Sequence, residues 1–161
     1  VYALDLIEHL KEIADLSIGV AAHPEGHPRS PDLATDRRHL AEKMRAADFA
    51  TTQFFFDIDH YLSLVNDLAD LGVTKPVVPG IMPISSSSQL LRFSDACGAE
   101  IPRWIRLRLQ AYGDDTASIK AFGLDVVADL CDQLRNGGVP ALHFYTMNQS
   151  ATTLELLKRL A

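Results

Sequence analysis

Four short apolar segments alternate with segments of helical periodicity, and this alternation is what most limits the folds available to the chain. The apolar segments are rich in strand-forming residues and cover residues 18–22, 49–55, 76–82 and 141–146. Helical patterns precede the first segment, separate the others and follow the last. This order predicts an α/β fold in which parallel strands are joined by right-handed helical crossovers.

Two architectures fit that order: an open doubly wound sheet and part of a (β/α)₈ barrel of the TIM type. A nucleotide-binding doubly wound sheet usually has a glycine-rich turn after its first strand, whereas here that turn is HPEGH at residues 23–27. The barrel is therefore favoured. A barrel needs eight strands, so we expect residues 1–161 to supply about four of the eight βα units of one domain. The first residue is Val1 rather than Met, which also favours a chain taken from something longer.

Composition narrows the class of protein. The chain has 161 residues, of which 47% are hydrophobic and 22% charged, as in ordinary globular domains. The formal net charge of −6 and the lack of a basic tract argue against nucleic-acid or anionic-membrane partners. No apolar run approaches the roughly 20 residues of a membrane span, and no secretory leader is visible. The two cysteines form neither a disulfide framework nor a zinc motif, so we expect a cytoplasmic protein without a metal.

In β/α barrels the chemistry lies where the strands end, and here those positions are polar and aromatic. His23 and His27 follow the first strand, where they could bind a metal, contact a phosphate-bearing ligand or simply stabilise the loop. Gln53 ends the second strand. Its amide offers a donor and an acceptor to the edge of a heterocycle, or it is a buried glutamine bonded to the backbone.

One helix face carries Asp36, His39 and Lys43, which are spaced three and four residues apart. Lys43 could bind a phosphate and Asp36 could accept hydrogen bonds from sugar hydroxyls, or the face is merely solvated. The strand ends contain no paired carboxylates, cysteine nucleophile or Ser–His–Asp set, so no catalytic residue is assigned to this chain.

Four segments at the strand ends resemble the 5,10-methylenetetrahydrofolate reductase family. They are IGVAAHPEGHP (18–28), TTQFFFD (51–57), VVPGIMPI (77–84) and LHFYTMNQS (142–150). The final ATTLELLKRL (151–160) is similar to the closing helix of that family. The resemblance extends over the whole chain, in the same order, and corresponds to the C-terminal half of a typical catalytic barrel.

The resemblance implies a flavin-dependent oxidoreductase of one-carbon metabolism and methionine synthesis. Such enzymes reduce 5,10-methylenetetrahydrofolate to 5-methyltetrahydrofolate, with NADH or NADPH as co-substrate and FAD as cofactor. The family pattern places around FAD Tyr2, Ala3, His23, His27, Asp36, His39 and Lys43. It places against the folate substrate Gln53, Gln89, Phe93, Tyr145 and Gln149.

The sequence departs from the family pattern at three places. The family usually has Tyr at the position of His23, Glu-Ala at Arg29-Ser30, and Arg at the position of Gln149. The family's catalytic glutamate belongs to the N-terminal half of the barrel. We expect that half to be a partner of this chain, and a second copy of the protein is a further candidate partner. Two alternatives stay open: a flavin-independent NAD(P)H-linked methylenetetrahydrofolate reductase and a non-catalytic, folate-binding half-barrel.

Overall fold

A computed structural model describes residues 3–161, and in that part of the chain there are four strands and seven helices. Helices separate the strands as predicted, with three of them between the third strand and the fourth. The strands are β1 (Gly19–Ala22), β2 (Phe49–Phe54), β3 (Val77–Ile81) and β4 (His143–Phe144). The helices are α1 (Ala3–Ile13), α2 (Leu33–Ala46), α3 (Ile58–Asp70), α4 (Ser87–Cys97), α5 (Arg103–Tyr112), α6 (Thr116–Asn136) and α7 (Ala151–Leu160).

The four strands form one parallel sheet in the order β1-β2-β3-β4. Each strand therefore pairs with its neighbour in sequence. A doubly wound sheet would reverse its strand order at a switch point, whereas a barrel adds each strand beside the previous one. The structure confirms the α/β class and the parallel sheet, and the sequential order is that of a partial barrel.

One face of the sheet is covered by helices, as alternation of exposure along the strands indicates. In β1, Val20 and Ala22 are buried while Gly19 and Ala21 are exposed, and β2 alternates between buried and half-buried residues. The core continues into the covering helices, where Met44 of α2 has no exposed area. The candidate site residues lie on the less covered face and at the strand ends, and the tightly packed core fixes the strands that carry them.

Local signals explain most helix boundaries. Asp32 caps α2 by accepting from the Thr35 N–H at 2.7 Å. Ser86 caps α4 by accepting from the Gln89 N–H at 3.4 Å, so this helix begins at Ser87. Within residues 3–161, no helix combines the length and apolarity needed to cross a bilayer.

The last strand is shorter than predicted, because β4 has only two residues instead of about six. It lies beside the final residues of β3, pairing Gly80 with His143 and Ile81 with Phe144. The described residues offer β4 no strand on its other side, so nothing there extends the ladder. The Tyr145 N–H still donates to the Ile81 carbonyl at 2.8 Å, so the chain stays beside β3 for one residue after β4 before it enters the loop that leads to α7.

Candidate functional site

The β1–α2 loop brings two imidazoles together at the end of β1. The rings of His23 and His27 lie edge to face with their centroids 4.6 Å apart. Nδ1 of His27 accepts a hydrogen bond from the Arg29 N–H at 3.1 Å. Because Nδ1 acts as an acceptor, the neutral ring carries its proton on Nε2, which can donate to a ligand.

The half-buried Lys43 provides a cation on the neighbouring helix. Burial lowers the pKa of its ammonium group, and the carboxylate of Asp36 opposes that shift. No residue of the described chain, Asp36 included, forms a hydrogen bond or ion pair with the Lys43 ammonium within the usual distances. A partly desolvated cation of this kind is suited to an anionic ligand group.

The electrostatics of His23 connect these groups into one cluster. Burial lowers the pKa of His23, His27 adds to the shift, and Lys43 and Arg37 lower it further, while Asp36 raises it. The expected flavin residues His27, Asp36 and Lys43 therefore each lie close enough to His23 to affect its charge.

Two of the expected flavin residues that the structure describes are not part of that cluster. His39 is exposed on α2, and its imidazole makes no hydrogen bond, ion pair or ring contact with the described residues. Ala3 is the exposed first residue of α1. Tyr2 lies outside the described residues.

A buried arginine holds the loop in place, and the sequence analysis missed it. Arg37 is only 3% exposed. Its guanidinium donates to the carbonyls of His23 at 2.8 Å and Pro24 at 2.6 Å. It also donates to carboxylates of Asp67 at 3.1 Å and Asp36 at 3.4 Å. Arginine within a helix usually lies on the solvated face, so no sequence signal distinguished this position.

A second tie joins the same loop to the segment after α4. One carboxylate oxygen of Glu25 accepts a hydrogen bond from the Glu100 N–H, and the other is buried without a hydrogen-bond partner in residues 3–161. Burial raises the pKa of the Glu25 carboxyl. The loop is thus fixed both by α2 and by the connection between α4 and α5.

The half-buried Gln53 lies near the end of β2, in a small cleft of about 10 Å³ that it shares with His23, Glu25 and Cys97. Its amide makes no hydrogen bond to the described residues, which leaves its donor and its acceptor available. The backbone-bonded alternative for Gln53 is therefore not what the structure shows. Its role in ligand binding stays a prediction.

A second cleft, of about 20 Å³, brings together three of the expected folate residues: Gln89, Tyr145 and Gln149. The Tyr145 hydroxyl donates to the Thr52 carbonyl at 2.9 Å, and burial raises its pKa. This bond crosses over β3 at Gly80, where an added Cβ would collide with the Thr52 carbonyl oxygen and lie 2.6 Å from the Tyr145 ring. The glycine therefore permits the contact that anchors Tyr145 beside β2.

Phe93, the remaining expected folate residue, does not line either cleft. It is half-buried on α4 and packs against the core, and the Arg92 guanidinium carbon lies 5.3 Å from its ring centroid. Residues 3–161 contain no cluster of three or more His, Cys, Asp or Glu side chains placed to hold a metal ion.

The sequence analysis also missed two buried hydroxyls near the second cleft. Thr153 lines the cleft and Ser87 begins α4, and neither hydroxyl has a hydrogen-bond partner in the described chain. The loop between β4 and α7 is unusual too, because Met147 and Asn148 have φ values of 50° and 59°. Two consecutive non-glycine residues in the left-handed region are uncommon and occur mostly at functional sites.

Comparisons with known proteins agree on one family. The family model described as methylenetetrahydrofolate reductase matches residues 1–161. The chain is 37% identical over 150 residues to the 5,10-methylenetetrahydrofolate reductases of Salmonella typhimurium and Escherichia coli, covering 92% of this chain and 51% of each relative. A rice relative named "Probable methylenetetrahydrofolate reductase (NADH)" is 36% identical over 170 residues, covering 98% of this chain and 29% of that protein.

A solved structure shares the fold. It is an uncharacterized protein from Clostridium thermocellum that binds two copies of 5-methyl-5,6,7,8-tetrahydrofolic acid. The TM-score is 0.68 at 17% identity, and the match covers 99% of this chain and 59% of that chain. The chain spans about half the length of the bacterial relatives that it matches.

Proposed function

This chain belongs to the methylenetetrahydrofolate reductase family, and we propose that it supplies four of the eight βα units of a flavin-dependent reductase barrel. The proposed reaction converts 5,10-methylenetetrahydrofolate to 5-methyltetrahydrofolate, with NADH or NADPH as co-substrate, in one-carbon metabolism and methionine synthesis. Family membership supports the folate substrate, and the name of the rice relative supports NADH. The single observation that carries the proposal is the grouping of unpaired polar side chains at the ends of adjacent parallel strands.

The β1 end of the site fits FAD by its donor set. A half-buried ammonium at Lys43 and a free Nε2–H at His27 suit phosphate oxygens, while the Asp36 carboxylate can accept from sugar hydroxyls. When bound, FAD would supply the hydride relay between nicotinamide and folate.

Residues of this chain would bind and orient the reactants rather than move the proton. Gln53 presents a free amide at the C-terminal end of β2, where it can donate to one pterin atom and accept from another. The Tyr145 ring, fixed by its bond to Thr52, would provide an apolar wall beside Gln89. We assign no proton donor to residues 1–161, and the N-terminal half of the barrel is proposed to provide it.

Flavin spectra of the intact protein test the proposal. We expect purified protein to retain a flavin absorbance band that NADH or NADPH bleaches and methylenetetrahydrofolate restores. Lys43→Glu should weaken flavin binding by more than tenfold, since a charge-assisted contact is typically worth ~1.5–3 kcal/mol. Glu42→Lys, at the exposed neighbouring position of the same helix, is the matched control and should retain flavin.

Gln53→Glu tests the folate side, because the carboxylate keeps the size but loses the donor and introduces a charge to desolvate. Rapid mixing should show slower flavin reoxidation by folate, with bleaching by the nicotinamide still observed. Folate reduction by protein free of flavin would refute flavin use. An unchanged folate rate with a lower melting temperature would give Gln53 a structural role.

A further inference from the structure

Helix α5 carries a charge opposite to that of the chain as a whole. It lies between α4 and α6, in the connection that has three helices. Its sequence contains three arginines, Arg103, Arg106 and Arg108, and no acidic residue, whereas the chain has a net charge of −6. All three side chains are exposed, and within residues 3–161 none of them forms an ion pair. Helix α5 is therefore a positive strip on an acidic protein.

The outer face of α5 also exposes large apolar side chains. Ile105 and Leu109 are buried and attach the helix to the core. Trp104 and Leu107, one turn apart, are 56% and 53% exposed. The Trp104 indole meets the Phe122 ring edge on, at 5.9 Å between ring centroids, and still leaves more than half of its surface in water. Tryptophan and arginine are the residue types most enriched at the energetic centres of protein interfaces.

A groove of about 360 Å³ adjoins α5 on the side of Trp104, and we call it the α5 groove. Its walls include Val126 and Leu130 of α6. Two exposed carboxylates stand at it, Asp57 before α3 and Asp129 of α6. Within the described chain neither of them forms an ion pair. An unpaired positive helix and an unpaired acidic groove thus lie side by side.

This arrangement of charge identifies the partner. When two identical surfaces meet across a two-fold axis, each part of one surface faces the other part of its mate. The arginines of each α5 can then face the acidic groove of the other copy. An acidic partner would match α5 and be repelled by the groove, and a basic partner would match the groove and be repelled by α5. A second copy of this protein matches both.

The position of the α5 groove keeps it accessible in the proposed barrel. Helices α3 and α6, which form the groove with α5, pack between α2 on one side and α7 on the other. The remaining barrel units would continue from β1 and β4, at the two ends of this row of helices. They would therefore leave its middle uncovered.

We propose that α5 and the α5 groove form a two-fold interface between two copies of this protein. Trp104 and Leu107 lie at its centre, where contact removes them from water. The arginines of each α5 face Asp57 and Asp129 of the other copy and fix the register of the pair. Because these charges lie near the rim, salt should weaken the association.

Sedimentation equilibrium of the intact protein tests the interface through charge reversal. We expect the wild type to self-associate. Arg108→Glu and Asp129→Lys should each raise the dissociation constant at least tenfold, because each places like charges opposite one another twice in the dimer. Arg38→Glu makes the same charge change at an exposed position of α2 and should leave the dissociation constant unchanged.

An equimolar mixture of Arg108→Glu and Asp129→Lys is the decisive measurement. In the mixed dimer the new glutamate faces the new lysine, and the original arginine faces the original aspartate, so both contacts are attractive again. The mixture should therefore associate within about threefold of the wild type. A mixture as weak as either variant alone would overturn the proposal, and so would a wild type that stays monomeric at every concentration.

Melting temperatures and flavin retention separate this result from other failures. All three substituted side chains are exposed, so the variants should melt at the temperature of the wild type. If one variant is less stable, recovery in the mixture still supports the interface, because mixing does not restore lost stability. A dimer without flavin would count against the proposed function alone, and a monomer that retains flavin would count against the interface alone.

Discussion

Replacing Arg37 by leucine should be the most damaging single change to the β1–α2 loop. The guanidinium is 4% exposed at the side-chain level and donates to two loop carbonyls and two carboxylates. Leucine fills part of the same volume but donates nothing. The His23 carbonyl keeps the Gly26 N–H at 3.0 Å, whereas the Pro24 carbonyl loses the one hydrogen bond described for it.

The magnitude follows from those losses. A buried carbonyl left unpaired costs about 1–3 kcal/mol. Asp36, whose side chain is 13% exposed, loses a neighbouring cation, while Asp67 is 40% exposed and its pair with Arg37 is largely screened by solvent. We therefore expect Arg37→Leu to lower the free energy of unfolding by about 3 kcal/mol, below the ~3–5 kcal/mol of a fully buried pair.

Urea unfolding of the intact protein measures this loss. Arg37→Lys keeps a charge near Asp67 but cannot serve both carbonyls, so it should lose about half as much. Arg45→Leu is the matched control on the same helix, because its exposed guanidinium donates to the Leu71 carbonyl at 2.9 Å, and it should cost less than about 1 kcal/mol. If Arg37→Leu loses no more than Arg45→Leu, the guanidinium does not hold the loop.

Three further outcomes follow from the structure. Tyr61→Phe removes a 2.8 Å hydrogen bond from the tyrosine hydroxyl to the Val77 carbonyl. The tyrosine is buried, which raises its pKa to about 12, so the loss should lower the free energy of unfolding in urea by about 1–2 kcal/mol. A loss below about 0.5 kcal/mol would contradict this prediction. Gly80→Ala would press a Cβ against both the Thr52 carbonyl oxygen and the Tyr145 ring, and should cost about 1–3 kcal/mol and weaken folate binding. Unaltered stability and folate binding would contradict this prediction. Because the pKa of His23 is lowered in the folded protein, the unfolded chain takes up a proton at this residue first as the pH falls below about 6.5. The free energy of unfolding should therefore decrease as the pH falls through this range, and should decrease less in His23→Gln. Equal pH dependence of the two proteins would refute the lowered pKa of His23.

The fold was largely predictable because its signals are local. Apolar runs marked all four strands and helical periodicity marked the segments around them, so the order of elements and the parallel sheet followed from the sequence alone. The length of β4 was not predictable, because it depends on the neighbouring strand rather than on the apolar segment around residues 141–146. A run of strand-forming residues extends only as far as it has a partner.

The candidate site was predictable only in part. The family resemblance identified Gln89, Tyr145 and Gln149, and the structure brings those three into one cleft. It did not identify Arg37 or Thr153, because a buried arginine and an unpaired threonine follow the same helical periodicity as exposed ones. Their surroundings are created by contacts between distant segments, as between Arg37 and Asp67, thirty positions apart.

The contacts that position the strand ends share one chemical property, which is that they go to main-chain atoms. Arg37 binds the carbonyls of His23 and Pro24, the Tyr145 hydroxyl binds the carbonyl of Thr52, and Glu25 binds an amide N–H. A main-chain acceptor is present whatever side chain stands at that position. Position 23 can therefore carry histidine, where the family resemblance leads us to expect tyrosine, without loss of the bond that fixes the loop. The scaffold holds the backbone in place, and the side chain at that position is left to determine how the ligand is bound.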